Sequence, residues 1–219
     1  MQPNLVFLSG PHGSGKTTLG RELANLSRDI LIPELYSRNP KFNLDNPSYR
    51  QYLKLCSRAI ENFEYLDIAR KNPEKIILAN RGIYDVLAYH EIYFKRGWIR
   101  QEEFELLNCF SLETFKGELR NPYAIVVNPG FDVVMQHLQK RWQEKGKKWR
   151  EDDLEYAKLA CLSFEQFREN SNIFYIDHEI NLETKVEVFE AFEWLRSLRE
   201  PVHYPATTQI SELLAAGHA

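Results

Sequence analysis

The segment from Gly10 to Thr17 constrains the fold of this chain more than any other feature of its sequence. It matches the pattern G-x-x-x-x-G-K-[ST] at every fixed position. The buried-strand run from Leu5 to Leu8 precedes it, and a helical pattern begins at Lys16, as the pattern requires. A strand, a glycine-rich turn and a helix in this order predict a phosphate-binding loop in an α/β fold.

Each part of this loop has a physical role in holding phosphate. Glycines permit the tight turn in which successive backbone N–H groups converge on a phosphate, and the following helix adds the positive end of its dipole. We expect Lys16 to reach the β- and γ-phosphates and the Thr17 hydroxyl to coordinate Mg²⁺. The predicted contacts to ATP are Gly10, Pro11, His12, Gly13, Ser14, Gly15, Lys16, Thr17 and Thr18.

Short apolar runs alternate with longer helical patterns along the rest of the chain. The predicted strands are Leu5 to Leu8, Ile30 to Ile32, Lys75 to Ala79, Tyr123 to Val127 and Ile173 to Ile176. The predicted helices are 16–28, 48–71, 83–96, 101–118, 131–145, 152–170 and 182–198. Strands without clean polar alternation are covered on both faces. We therefore predict a P-loop NTPase fold, with a five-stranded parallel sheet between two helical layers (α/β/α) and ligands at its carboxyl edge.

Composition excludes several classes of protein. The 219 residues are 43% hydrophobic and 27% charged, as in one ordinary globular domain. A net charge of −3 leaves no basic excess for nucleic acid, and no apolar run approaches the roughly 20 residues of a membrane span. The N-terminus lacks the pattern of a signal peptide, and apolar neighbours predict buried free thiols at Cys56 and Cys161. We therefore expect a cytoplasmic protein with no nucleic-acid or membrane partner.

Two classes of nucleotide-binding protein lack their expected signals. A GTPase needs an N-K-x-D segment to bind its base, and the chain has none. An AAA-type ATPase or a large motor is expected to have a longer chain and an acidic pair after a strand. The third predicted strand continues into Asn80 and Arg81 instead. This leaves the compact P-loop kinases, which transfer a phosphoryl group to a small acceptor.

Over about residues 4–177 the chain resembles the thymidylate kinase and deoxynucleoside kinase group. The segment from Arg81 to Tyr89 is similar to the thymidylate kinase segment D-R-Y-x-x-S-x-L-A-Y. The matching positions are Arg81, Leu87, Ala88 and Tyr89. The segment from Tyr52 to Ala59 is similar to the helix whose arginine, here Arg58, faces the substrate base. In these families the strand order is 2-3-1-4-5.

The resemblance also implies roles for residues outside the loop. Glu34 follows the second strand, where nucleoside kinases place a carboxylate that takes the proton of a sugar hydroxyl. The segment from Arg141 to Phe167 resembles their basic lid, here about residues 141–151, followed by a long helix. The predicted catalytic residues are Lys16, Glu34, Arg81, Arg141 and Arg150. The predicted acceptor-binding residues are Tyr36, Arg58 and Tyr89.

We therefore interpret residues 1–199 as a P-loop kinase domain and residues 200–219 as a C-terminal extension. The predicted reaction is Mg²⁺-dependent transfer of the γ-phosphoryl group of ATP to a nucleoside or nucleoside monophosphate. The interpretation is also compatible with a homodimer.

Three departures from the families keep two alternatives open. Asn80 stands where the families carry Asp or Glu before the arginine, and His12 replaces the aspartate of the thymidylate kinase loop. The R-E-P segment of thymidylate kinases is absent. The alternatives are a kinase for a non-nucleotide metabolite and a regulatory ATP-binding module with slow hydrolysis. The sequence does not separate them, because acceptor identity depends on the shape of the pocket.

Overall fold

The computed structural model describes residues 4–34, 46–146 and 152–199. Its strands are β1 (Leu5–Ser9), β2 (Ile30–Leu31), β3 (Ile76–Asn80), β4 (Tyr123–Val127) and β5 (Ile173–Ile176). They form one parallel sheet in the order β2-β3-β1-β4-β5. This order is the one that the resemblance implies, and the predicted P-loop NTPase fold is confirmed.

Seven α-helices connect the strands within the described ranges. They are α1 (Lys16–Leu26), α2 (Pro47–Lys71), α3 (Ile83–Lys95), α4 (Gln101–Thr114), α5 (Phe131–Lys145), α6 (Leu154–Glu165) and α7 (Val186–Ser197). All seven correspond to predicted helices, but α1 and α3 are one or two residues shorter than predicted, and α4, α6 and α7 are shorter by four or more. The backbone leaves the helical conformation at Phe115, where ψ is 71°, and takes a left-handed φ of 55° at Lys185, so α4 ends at Thr114 and α7 begins only after Lys185.

Helices cover both faces of the sheet, as predicted. Successive side chains of a strand point to opposite faces, so Phe7 of β1 packs on one side while Val6 and Leu8 pack on the other. Phe7 belongs to a core with apolar side chains of α2, α3 and α6, and Val6 and Leu8 belong to a core with those of α1 and α7. Residues of α5 and α6 form a third, smaller cluster. These layers leave the carboxyl edge of the sheet open between α2, α3 and α5.

The buried face of α2 is not its apolar stripe. Tyr52, Ile60 and Phe63, which share a stripe at helical spacing, are 42%, 47% and 50% exposed. The buried face of α2 contains polar as well as apolar side chains. Its buried residues are Gln51, Leu55, Ala59, Glu61, Asn62, Tyr65, Leu66 and Ala69. Because Cys56 lies on the stripe, it is only half-buried, and the prediction of a buried thiol there is wrong. The same prediction is confirmed for Cys161 of α6.

In the described ranges no helix combines the length and apolarity needed to cross a membrane.

Candidate functional site

The phosphate-binding loop lies at the carboxyl end of β1, packed between β4 and α5. Gly10 has φ +136°, and a Cβ atom there would lie 2.2 Å from the carbonyl oxygen of Val127. Gly13 has φ +80°, and a Cβ atom there would lie 2.9 Å from Cγ of Leu138. Only glycine fits both positions, because each combines a left-handed backbone with direct contact to a neighbouring element. The sequence pattern and the packing therefore agree on where the loop turns.

Lys16 lies inside the loop and is 8% exposed. Its Nζ atom donates to the carbonyl oxygens of Gly10 and Pro11 at 2.9 and 2.5 Å and to the Ser14 hydroxyl at 3.0 Å. Burial, followed by the positive charge of Arg81, holds the pKa of Lys16 well below its usual range. A phosphate bound in the loop would replace these neutral oxygens with charged ones and favour the ammonium form.

Arg81 has a strained backbone held in place by two hydrogen bonds. Its φ is +66°, in the left-handed region that costs a residue other than glycine roughly 1–3 kcal/mol. Its N–H donates to the carbonyl of Leu8 at 3.1 Å, and its own carbonyl accepts from Nδ2 of the buried Asn62 at 3.1 Å. Such strain persists where the surrounding structure determines the conformation, and it concentrates at functional sites. The position of Arg81 is therefore closely specified.

The guanidinium of Arg81 is bound by a carboxylate that the sequence interpretation missed. Its Nη1 atom lies 2.6 Å from Oδ1 of Asp85 and 3.4 Å from both the Gly10 carbonyl and the Tyr89 hydroxyl. The side chains of Arg81 and Asp85 are 13% and 4% exposed. The other carboxylate oxygen of Asp85 is buried with no hydrogen-bond partner among the described residues. The spacing i, i+4 from Arg81 was the one signal of this pair in the sequence.

His12 lies beside Arg81 within the loop. Its Nδ1 atom is 3.4 Å from Nη2 of Arg81, and its ring centroid is 5.8 Å from that of Tyr89. A guanidinium only donates, so Nδ1 is the acceptor and the hydrogen of the neutral ring is on Nε2. Burial, and then the charges of Arg81 and Lys16, hold the pKa of His12 well below its usual range. His12 is therefore a neutral group at neutral pH.

A cavity of about 1020 Å³ opens in front of the loop, between α2, α3 and α5. Of the predicted site residues, those that line it are His12, Gly13, Ser14, Gly15, Lys16, Thr17, Thr18, Arg58, Arg81, Tyr89 and Arg141. Gly10 and Pro11 are not among its lining residues, but their carbonyls accept hydrogen bonds from Lys16, which is. The structure thus brings residues from four separate parts of the sequence to one site.

The remaining predicted site residues are Glu34, Tyr36 and Arg150. Glu34, three residues after β2, is exposed and is not among the described residues that line the cavity. Tyr36 and Arg150 lie outside the described residues.

The α2 side of the cavity contains polar groups that the sequence interpretation missed. Gln51 is 2% exposed, and its Nε2 atom has no hydrogen-bond partner in the described structure. The buried hydroxyl of Ser57 also lacks one. Arg58, by contrast, donates to Glu61 at 2.5 Å and to the carbonyl of Asn80 at 3.1 Å. Buried polar groups are normally paired, so Gln51 and Ser57 are candidates for ligand contacts.

Two solved structures of nucleotide-related kinases share this fold. Deoxyadenosine kinase from M. mycoides with bound dATP has a TM-score of 0.66 at 14% identity, over 85% of this chain and 97% of that chain. Thymidylate kinase from Candida albicans has a TM-score of 0.63 at 16% identity, over 90% of this chain and 92% of that chain. No curated protein sequence matches the chain. The resemblance in fold to the thymidylate kinase and deoxynucleoside kinase group is confirmed.

A family model described as an AAA domain matches residues 5–179. The sequence-based exclusion of an AAA-type protein is therefore wrong. The exclusion used chain length and an acidic pair after a strand, which are features expected of motor ATPases. Membership of the family rests instead on the shared P-loop core. Because fold does not imply function, membership does not make the chain a motor. A match over this much of the chain shows that the chain belongs to the AAA domain family.

Proposed function

We propose that this chain is a P-loop kinase that transfers the γ-phosphoryl group of ATP to a nucleoside or nucleoside monophosphate. The observation that supports the proposal is one cavity lined both by the phosphate-binding loop and by buried polar side chains of α2 and α3. Its volume of about 1020 Å³ lies just above the roughly 300–1,000 Å³ typical of a pocket for a single small ligand. The cavity therefore has room for a donor and an acceptor side by side.

In this proposal the cations of the site stabilise charge on the transferred group. Lys16 and the loop amides hold the β- and γ-phosphates, and Arg81 exchanges part of its contact with Asp85 for phosphate oxygens. Arg141, near the end of α5, approaches from the lid side, and Arg150 is proposed to do the same. Phosphoryl transfer depends mainly on positioning and on electrostatic stabilisation, which these groups supply.

Mg²⁺ fits the site as an ion that arrives with the nucleotide. The described residues contain no group of three or more His, Cys, Asp or Glu side chains that could hold a metal ion. Thr17 is exposed and lines the cavity directly after Lys16. Mg²⁺ commonly keeps several waters and takes substrate phosphates as ligands, so the Thr17 hydroxyl is the protein ligand we propose. When bound, the ion would neutralise charge on the phosphates.

The polar wall supports a nucleoside or nucleotide as the acceptor. We define the acceptor wall as Gln51, Ser57 and Asp85, each of which lines the cavity with a buried polar atom that has no partner in the described structure. An amide donor, a hydroxyl and a carboxylate oxygen together require a ligand with both donors and acceptors. A base or a sugar provides both, and the ring of Tyr89 beside them provides an aromatic surface.

Several sequence-based expectations remain proposals. Glu34 is proposed as the base for a sugar hydroxyl, and Tyr36 as a further acceptor contact. Residues 1–199 are proposed as the kinase domain, with a lid at residues 141–151 and an extension at 200–219. The cytoplasmic location and the homodimer remain predictions. The exposed stripe of α2, with Tyr52, Ile60 and Phe63, is the surface on which a dimer contact should be sought.

A screen of ADP release tests the proposed function. The protein is incubated with ATP, Mg²⁺ and, in turn, nucleosides, nucleoside monophosphates, sugars and small carboxylic acids. We expect turnover that depends on a nucleoside or nucleoside monophosphate and is lost in Lys16→Ala, which controls for contaminating kinases. Turnover only with a sugar or an acid would instead identify a metabolite kinase. Tight ATP binding without turnover on any acceptor would favour the regulatory module.

A further inference from the structure

The phosphate-binding loop presents N–H groups to a phosphate only if its carbonyl groups point elsewhere and find donors of their own. At Gly13, in the middle of the loop, the donor is a side chain far away in the sequence. Nδ1 of His137, on α5, lies 2.8 Å from the Gly13 carbonyl oxygen. A carbonyl oxygen cannot donate, so Nδ1 carries the hydrogen in this contact.

The other ring nitrogen of His137 contacts a second element. Its Nε2 atom lies 2.9 Å from Oε1 of Glu179, in the segment between β5 and α7. An ionised carboxylate also only accepts, so a hydrogen on both ring nitrogens satisfies both contacts. Glu179 therefore fixes the orientation of the ring whose opposite side binds the loop. His137 links three elements that are distant in sequence.

The surrounding packing makes this contact specific. Gly13 lies directly on α5, where a Cβ atom would be 2.9 Å from Cγ of Leu138 and 3.1 Å from the carbonyl of Val134. His137 falls between these two residues in the sequence and lines the cavity. Lys140 and Arg141, one turn further along α5, line the same cavity. The face of α5 that bears His137 thus borders the loop and also bears Arg141, the first residue of the predicted lid.

We propose that His137 is a positioning residue for the nucleotide phosphates. By donating to the Gly13 carbonyl, it holds that oxygen away from the phosphates and leaves the loop N–H groups to face them, while Glu179 aligns the imidazole. This role rests on the proposed function, since it requires a nucleotide in the loop. A supporting side chain of this kind acts on affinity through the geometry of the groups that it orients.

The test compares three variants by their dissociation constants for a non-hydrolysable ATP analogue with Mg²⁺, measured by calorimetry. His137→Ala removes both contacts. His137→Asn is neutral, and its amide can donate from near the position of Nδ1 without reaching Glu179. The matched control is His178→Ala, because His178 also contacts two carboxylates, those of Asp177 and Glu187, but does not line the cavity. Thermal unfolding of each variant shows whether it is folded.

We expect His137→Ala to raise Kd about tenfold, the effect of leaving one polar group of the loop unpaired. His137→Asn should recover most of this loss, and His178→Ala should bind as the wild type does. A folded His137→Ala with wild-type Kd would overturn the inference. So would a His137→Asn as weak as His137→Ala, because the effect would then come from charge or volume. If the wild type itself fails to bind the analogue, the proposed function fails, a result distinct from either of these.

Discussion

The phosphate-binding loop and the acceptor wall border the same cavity but are built in different ways. The loop is one continuous segment whose proposed phosphate contacts come largely from backbone groups, with glycine where a neighbouring element leaves no space for a side chain. The acceptor wall consists of side chains from α2 and α3, separated by β3 and held by the packing of the two helices. A backbone site depends on local conformation, whereas a side-chain site depends on tertiary structure.

The largest effect that we expect comes from a substitution within the loop. Lys16→Ala removes the ammonium that we propose bridges the transferring group, and such electrostatic contributions are worth about 10³-fold in kcat. Steady-state kinetics should show this loss with every acceptor, because the donor side is common to all of them. Circular dichroism serves as the control for folding. A variant with wild-type turnover would remove the loop from the proposed reaction.

The difference between the two regions explains which parts of the site could be predicted. The loop residues are adjacent in sequence, and Arg81 directly follows a strand, so both could be placed from local pattern alone. Gln51 could not, because the rotation of α2 about its axis is set by packing against the sheet. The apolar stripe through Ile60 lies on the exposed face of the helix, opposite the buried face that bears Gln51.

His137 was missed for a related reason. Its contact with Gly13 joins residues 124 positions apart, and no local sequence pattern predicts it. The order of the strands followed from resemblance, and the boundaries of α4 and α7 depended on single residues with non-helical backbone angles, Phe115 and Lys185, that no periodicity reveals.

A second prediction concerns Glu34 and distinguishes two kinds of acceptor. If the acceptor is a neutral sugar hydroxyl, a general base is useful and Glu34→Gln should lower kcat about 10²-fold. A phosphate monoester is largely ionised near neutral pH and needs no base, so the variant would then change mainly KM. The measurement is kcat and KM for the acceptor found in the ADP screen. Unchanged values of both would remove Glu34 from the site.

A third prediction concerns the stability of the protein at acid pH, through a buried histidine on the acceptor side of the cavity. His90 lines the cavity, is 1% exposed, and its Nδ1 atom lies 3.1 Å from Oδ1 of Asn108. Burial lowers its pKa to about 4, against about 6.5 in an unfolded chain. Between these values the unfolded chain binds a proton that the folded chain does not. The free energy of unfolding should therefore fall by about 3 kcal/mol as the pH drops from about 6.5 to about 4.

Urea unfolding at several pH values, on the wild type and His90→Asn, checks this prediction. The variant keeps a polar group near Asn108 but cannot titrate, so its stability should decline less on acidification. His178 provides a contrast of opposite sign, because its hydrogen bond to Asp177 raises its pKa. Any stabilisation by His178 is complete below its ordinary pKa and is lost as the pH rises through the raised value. Equal pH slopes for wild type and His90→Asn would contradict a buried neutral His90.

The smallest expected effect tests whether the acceptor wall binds the acceptor at all. Gln51→Met keeps the length of the side chain but removes the amide whose Nε2 atom has no partner in the described structure. Losing one hydrogen bond to a ligand costs about 1 kcal/mol, so KM for the acceptor should rise roughly fivefold while Kd for the ATP analogue stays constant. Tyr52→Ala is the matched control, since Tyr52 is the next residue of α2 and is not among the residues lining the cavity.

The same variant should also affect stability. Gln51→Met replaces a buried amide nitrogen that has no partner in the described structure with an apolar group, which removes a cost of burial. The variant should therefore unfold at the same or a higher temperature than the wild type. A rise in both the acceptor KM and the donor Kd would mean that the loop and the acceptor wall are not separable, whereas no change in either would show that Gln51 faces no substrate.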